Sequence, residues 1–246
     1  GAQANTAVYL ALLEKGDNCM GVMLGNGWFT QDAAWNGAPF SYGPPMLRAQ
    51  LVIFYNDGSK DIIASDESWT WKEGPVLKSN IYLGESYDAR KEIRGWSTAG
   101  FQAEDWQAAQ LIEKSAPPAL KAQLMHPIRK KEVIQAVKMW QEPSGNWIFD
   151  FGVNAAGVVQ LQAKQPEGTS LRIRMAEETN KDDSLDYSTF GWIHHGKIFE
   201  HEYVCKGEGQ ESWSPRFSYH GFRYAELSGF SGKPDRVFIL CTHRIL

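Results

Sequence analysis

The sequence is poor in the features that mark several large functional classes. Its three cysteines, Cys19, Cys205 and Cys241, lie far apart. No CxxC pair occurs, so a zinc ribbon or a dithiol redox motif is excluded. Buried small hydrophobes are the expected role of these thiols, with one disulfide left open for an oxidising compartment. No apolar run reaches the ~20 residues of a membrane-spanning helix. Neither charge dominates, since 25 Lys and Arg stand against 29 Asp and Glu for a net −4. Such a chain has no global field to attract nucleic acid or an anionic membrane, so neither is an expected partner. A GxSxG nucleophile elbow is missing, as is a phosphate-cradling loop. Gly25-Asn26-Gly27 is too short for a dinucleotide fingerprint. Helical patterning is scarce as well. One short helix is predicted near Leu10–Lys15, closed by Gly16.

Aromatic residues are abundant: ten Trp, nine Tyr and twelve Phe, 13% of the chain. Aromatic faces stack on the apolar faces of sugar rings, but β-sandwich cores consume aromatics too, and burial is the expectation for most of them. Strand signals dominate. Leu47–Tyr55 is rich in β-branched and aromatic residues, Asn56-Asp57-Gly58-Ser59 is a hairpin turn, and Lys60–Ala64 returns as its partner. Trp69–Lys72 alternates again. Ser115-Ala116-Pro117-Pro118 is the best boundary, because two prolines remove backbone donors and favour an extended linker. Beyond it, strands are predicted at Glu132–Trp140, Trp147–Phe151, Val158–Ala163, Leu171–Ala176, Phe199–Cys205 and Phe222–Leu227. Short strands between Gly and Pro turns predict an all-β chain of two tandem jelly-roll or concanavalin-like β-sandwiches, residues 1–116 and 117–246.

Chemistry is harder to locate. His194 and His195 are adjacent, so on a strand they face opposite ways and share no metal easily. Asp182, Asp183 and Asp186 sit in a long polar segment, Glu177 to Gly196, a length that often marks function or an interface. Calcium favours such oxygen donors, yet the Gly and terminal Glu of an EF-hand loop are missing. A glycosidase needs only two carboxylates across a cleft, and the sequence alone does not pair them.

Longer motifs are more specific. Gly16–Phe29 contains Gly21-Val22-Met23-Leu24-Gly25-Asn26-Gly27-Trp28. Ile81-Tyr82-Leu83-Gly84-Glu85-Ser86-Tyr87-Asp88-Ala89-Arg90 follows. The second half carries Asp150-Phe151-Gly152 with Asn154 and Gly157, and then Trp213-Ser214-Pro215-Arg216-Phe217-Ser218-Tyr219-His220-Gly221-Phe222-Arg223-Tyr224. In this order they resemble bacterial α-L-rhamnosidases of glycoside hydrolase family 78, over nearly the whole chain. The resemblance implies β-sandwich domains ahead of a catalytic (α/α)6 barrel that is missing here, so no catalytic residue is carried over. It implies an accessory region of an enzyme acting on terminal α-L-rhamnosides, in the periplasm or secreted, with rhamnose-containing glycans as partners. It also implies a first sandwich that lacks opening strands or is completed by another copy. Some members carry a calcium-dependent rhamnose-binding module, which makes this the alternative function. Asn26, Trp28, Asn80, Glu85 and Asp88 are the candidate sugar-binding residues, with calcium as a candidate cofactor. The competing reading makes Trp28 and Tyr82 core, Asp88–Arg90 a structural pair, and Asn26 a turn residue.

Overall fold

The structure, a computed structural model, describes residues 16–27, 29–31, 40–112, 120, 128–188, 199–234 and 237–244. The predicted helix at Leu10–Lys15, the Pro117-Pro118 break, Trp28 and the His194–His195 pair lie outside these residues. Strands are β1 (Thr30–Gln31), β2 (Phe40–Ser41), β3 (Gln50–Phe54), β4 (Lys60–Ala64), β5 (Thr70–Trp71), β6 (Val76–Asn80), β7 (Gly84–Asp88) and β8 (Gln107–Ala108). The second half adds β9 (Glu132–Gln135), β10 (Lys138–Gln141), β11 (Trp147–Ala163), β12 (Ser170–Ala176), β13 (Glu178–Thr179), β14 (Leu185–Asp186), β15 (Glu200–Val204), β16 (Glu211–Trp213), β17 (His220–Ser228) and β18 (Val237–Arg244). A single-turn 3-10 helix spans Ala89–Lys91. The fold is all-β, as the turn spacing predicts.

The β3–β4 hairpin closes as expected. Gly58 adopts φ +86°, and the Asp57 carboxylate accepts the Ser59 N–H at 2.9 Å, an Asx turn that fixes the loop. β1–β2, β3–β4, β5–β8 and β13–β14 are separate two-stranded ribbons. The remaining ten strands form one sheet with the path β6-β7-β15-β12-β17-β11-β18-β9, to which β10 and β16 join on β11. β7 pairs in parallel with β15, Tyr87 opposite Tyr203. Two strands from the first half of the sequence are therefore hydrogen-bonded into the sheet of the second. The sheet thus takes strands from both sides of positions 117 and 118, since parallel strands need a long crossover and can lie far apart in sequence.

Two strand predictions need correction. Trp147–Phe151 and Val158–Ala163 are one strand, β11. The sequence reading leaves 152–157 between two strands, but Gly152 takes φ +75° and the β11–β17 register shifts between Asp150 and Ala155. This is a bulge, which bends a strand without ending it. Conversely, Glu132–Trp140 is two strands. Between β9 and β10, Val137 donates its N–H to the Asp150 carbonyl at 2.8 Å. β9 then pairs with β18 while β10 pairs with β11.

The main core gathers Tyr87, Phe149, Phe151, Leu171, Ile173, Tyr203, Trp213, Phe222 and Leu227 among others. Leu171, Ile173 and Met175 are buried on the inward face of β12, as the alternation predicts. Tyr203 stacks with Tyr87 and with Trp213 at centroid separations of 5.9 and 5.3 Å, so these aromatics serve packing. Cys205 is buried in this core as a free thiol, while Cys19 is free and exposed. The burial expected of Cys19 does not hold, because the 16–19 segment lies on the surface.

Candidate functional site

The segment Asn80 to Arg90 is where the first half of the chain enters the sheet. Each motif residue has a physical task there. The Asn80 side chain accepts the N–H groups of Tyr82 and Leu83 at 2.8 and 3.1 Å, which closes the β6–β7 turn. Gly84 adopts φ +90°, and a Cβ built on it would lie 2.1 Å from the Glu200 carbonyl oxygen. Only glycine lets the backbones approach this closely. Ser86 and Ser170 both donate to the Glu202 carboxylate, at 2.9 and 2.7 Å, across three neighbouring strands. Asp88 accepts the Arg90 backbone N–H at 3.1 Å and holds its guanidinium in a fork at 2.9 and 2.8 Å. That arrangement caps the 3-10 turn and keeps the Asp88 carboxyl below the usual range.

Glu85 is the chemically unusual member. It is 1% exposed. One carboxylate oxygen accepts the backbone N–H groups of Arg216 and Phe217 at 3.0 and 3.2 Å, and the other has no hydrogen-bond partner. Burial pushes its pKa up to about 7, against the pull of the two N–H donors. Its own N–H is donated to Nδ1 of His201, at 3.0 Å. His201 is fully enclosed, and burial, then the neighbouring His220, hold its pKa down to about 3. It is therefore neutral, and because Nδ1 accepts, Nε2 carries the proton. A carboxyl poised near neutrality suits general acid catalysis. Glu85, however, faces backbone amides under a closed surface, where a glycoside does not reach it.

The second pair of motifs meets across β11 and β17. Asp150 accepts two bonds from Arg223, both at 2.9 Å, and also the Gly152 N–H at 2.7 Å. It thus fixes the bulge and ties the two strands together. The Arg223 guanidinium lies 4.9 Å from the Tyr224 ring centroid. Asn154 donates to Glu177 at 3.0 Å.

The candidate residues fall into two loops. Asn80, Glu85 and Asp88 share the β6–β7 hairpin and the turn after it. Asn26 sits in a tight turn and accepts the Thr30 N–H through its carbonyl at 3.1 Å. Both loops converge on Phe217. A Cβ on Gly25 would lie 2.6 Å from the Phe217 ring, and the Phe217 N–H is the one held by Glu85. In the acidic segment, Asp182 accepts the Ser184 N–H at 3.2 Å and its hydroxyl at 2.7 Å, and Asp186 accepts the Ser188 N–H at 2.8 Å. These carboxylates serve turns around the β13–β14 ribbon. Among the described residues, no group of three or more His, Cys, Asp or Glu side chains is placed to hold a metal ion.

Family models of known proteins cover both of these regions. The family model described as the alpha-L-rhamnosidase N-terminal domain matches residues 6–132. That of the bacterial alpha-L-rhamnosidase concanavalin-like domain matches residues 140–243. The chain belongs to the bacterial α-L-rhamnosidase family. An alpha-L-rhamnosidase of Formosa agariphila is 39% identical over 237 residues, 92% of this chain and 24% of that protein. The crystal structure of Streptomyces avermitilis alpha-L-rhamnosidase complexed with L-rhamnose superposes with a TM-score of 0.81 at 33% identity, covering 91% of this chain and 22% of that one. The alpha-L-rhamnosidase from Dictyoglumus thermophilum gives 0.76 at 37% identity, over 88% and 24%. The chain spans about a quarter of the length of these relatives.

Two participants in this rhamnosidase junction escape a sequence reading. His201 lies in an unremarkable strand, and only the β7–β15 pairing brings it to Glu85. The N–H groups of Arg216 and Phe217 belong to a recognised motif, but backbone donors leave no mark on residue identity. Pro215 just before them was the available signal, since proline breaks sheet pairing and leaves the following amides to find other acceptors.

Proposed function

We propose that this chain is the scaffold and accessory region of an α-L-rhamnosidase that acts on terminal α-L-rhamnosides in rhamnose-containing glycans, with the catalytic carboxylates in a barrel outside these residues. One observation carries the reading. The relatives match 92% of this chain with only 24% and 22% of their own length. The interior supports it. Glu85, Asp88, Asp150 and Glu211 are all buried, and each is hydrogen-bonded to backbone N–H groups. None is offered as a pair across a cleft, the arrangement glycoside hydrolysis needs. The test is turnover of an aryl α-L-rhamnoside. The purified chain is expected to release no more phenol than buffer. Release that saturates with substrate and scales with protein concentration overturns the proposal.

A second reading is that the region around Phe217 binds L-rhamnose. Its support is the convergence there of the Asn26 loop and the Asn80–Asp88 hairpin. Calorimetric titration with L-rhamnose, with and without a calcium chelator, tests it. The absence of heat in both arms removes this reading and leaves the first intact.

A further inference from the structure

Two surface clefts, one beside Arg90 and one on the far part of β11, differ in their chemistry. The first is lined by Arg90, Arg94 and Lys206 together with Glu92, Glu167 and Glu208. Its charges are spent on each other, as in Lys206–Glu92 at 2.6 Å and Arg94–Glu208. It offers nothing to a ligand.

The second cleft, of about 670 Å³, opens where the end of β11 passes the loop after β17. Its floor is fixed. Buried Gln165 donates to the Ser231 carbonyl at 3.1 Å and accepts the Ser231 N–H at 3.3 Å. Trp147 Nε1 donates to the Gly232 carbonyl at 3.1 Å. Phe230 packs against the main core and stays partly exposed. Around this floor stand Gln162, Lys164, Gln210 and Lys233. Among the described residues, none of these four side chains makes a hydrogen bond or ion pair. Among the described residues that line the cleft there is no carboxylate.

The inventory of groups defines the ligand. An ammonium has donors only and seeks an anion, while a primary amide both donates and accepts, as sugar hydroxyls require. A partly exposed aromatic ring suits the apolar face of a pyranose. A clamped loop loses little freedom when a ligand arrives. Among the described lining residues the charged ones are two lysines, in a chain of net charge −4. That global sign and a described lining with two cations disfavour a polyphosphate chain, which binds by neutralising many phosphates.

We propose that this cleft is a subsite for an anionic saccharide, one bearing a carboxylate or a sulfate ester. Lys164 and Lys233 take the anion, the free amides of Gln162 and Gln210 take hydroxyls, and Phe230 takes the ring face. The proposal is independent of the hydrolytic reading, since it concerns only this surface. The test is titration of the full chain, at low ionic strength, with trigalacturonate, a sulfated chondroitin disaccharide, neutral maltotriose and a short single-stranded DNA. The expected result is binding of one or both anionic sugars, weakened by salt, with maltotriose and DNA binding much more weakly. Lys164→Gln and Lys233→Gln should each weaken binding about tenfold, the loss of one charge-assisted hydrogen bond. Both lysines are exposed, so melting curves of the variants should match the parent. Lys60→Gln, on the exposed β3–β4 hairpin, should leave affinity unchanged. The proposal is overturned if neither anionic sugar binds at millimolar concentration, if maltotriose or DNA binds as well, or if both lysine variants keep the parent affinity.

Discussion

Glu85 shows what a single side chain contributes to this rhamnosidase region. Its ordinary value is 4.5, and burial raises it to about 7 in the folded chain. A carboxyl raised on folding opposes the folded state once it ionises. Its penalty is absent below about pH 4.5, grows as pH rises toward 7, and is complete above that. A shift of this size corresponds to roughly 3 kcal/mol at most. Glu85→Gln keeps an acceptor for the Arg216 and Phe217 amides and cannot ionise. The variant should therefore gain stability relative to the parent as pH rises from 4.5 to 8, read as the difference between their melting temperatures. A difference that stays flat across that range would refute the account. The two loop glycines make a second contrast. Gly84→Ala places a methyl 2.1 Å from a carbonyl oxygen at φ +90°, whereas Gly58→Ala meets open space at φ +86°. Denaturant titration should show about 1 kcal/mol lost for Gly58→Ala and at least ~3 kcal/mol, or no folded protein, for Gly84→Ala. Equal losses would mean that backbone conformation alone, not close approach, explains the glycine in the motif.

At the level of the element, β11 organises the sheet by bending. Asp150 holds the bend through Gly152 and the neighbour through Arg223. Its carboxyl lies below the ordinary value because the guanidinium and the Gly152 N–H favour its charged form. A lowered carboxyl gives stability that is present above about pH 3.8 and lost as pH falls through the folded value. Arg223 is 40% exposed, so water screens the pair. Asp150→Asn should cost about 1–2 kcal/mol at neutral pH and less below pH 3. A double-mutant cycle with Arg223→Gln checks this. A coupling indistinguishable from zero would show that the bulge, not the ion pair, is what Asp150 supports. The motif around Asp150 was readable as a string of residues, but its stretch was read as two strands, Trp147–Phe151 and Val158–Ala163. A bulge and a turn both use a positive-φ glycine, and only the partner strand distinguishes them.

Across the whole molecule, stability should be uneven. The ten-stranded sheet carries the main core, whereas β3–β4 exposes Phe54, Ile62 and Ile63 at 77%, 55% and 48% and, among the described residues, has no further strand beside it. An isolated two-stranded ribbon is marginal in water. Hydrogen exchange should protect the amides of Phe149, Leu171, Ile173 and Leu227 by several orders of magnitude more than those of Val52 and Ile62. Comparable protection in both would mean that the ribbon and the sheet unfold together. Much was decided locally. The β class, the hairpin at Asp57–Gly58, the inward face of β12 and the family motifs follow from the period of two, turn chemistry and residue identity, which are properties of neighbours in sequence. Pairings between distant segments were not readable. The parallel contact of β7 with β15 and the meeting of Glu85 with His201 and the Arg216–Phe217 amides join positions more than a hundred residues apart. The segment Ile81–Arg90 was legible as a motif with oxygen donors at Glu85 and Asp88. Tertiary structure decided that Glu85 is enclosed, because the desolvation that sets its charge depends on what the rest of the chain packs around it.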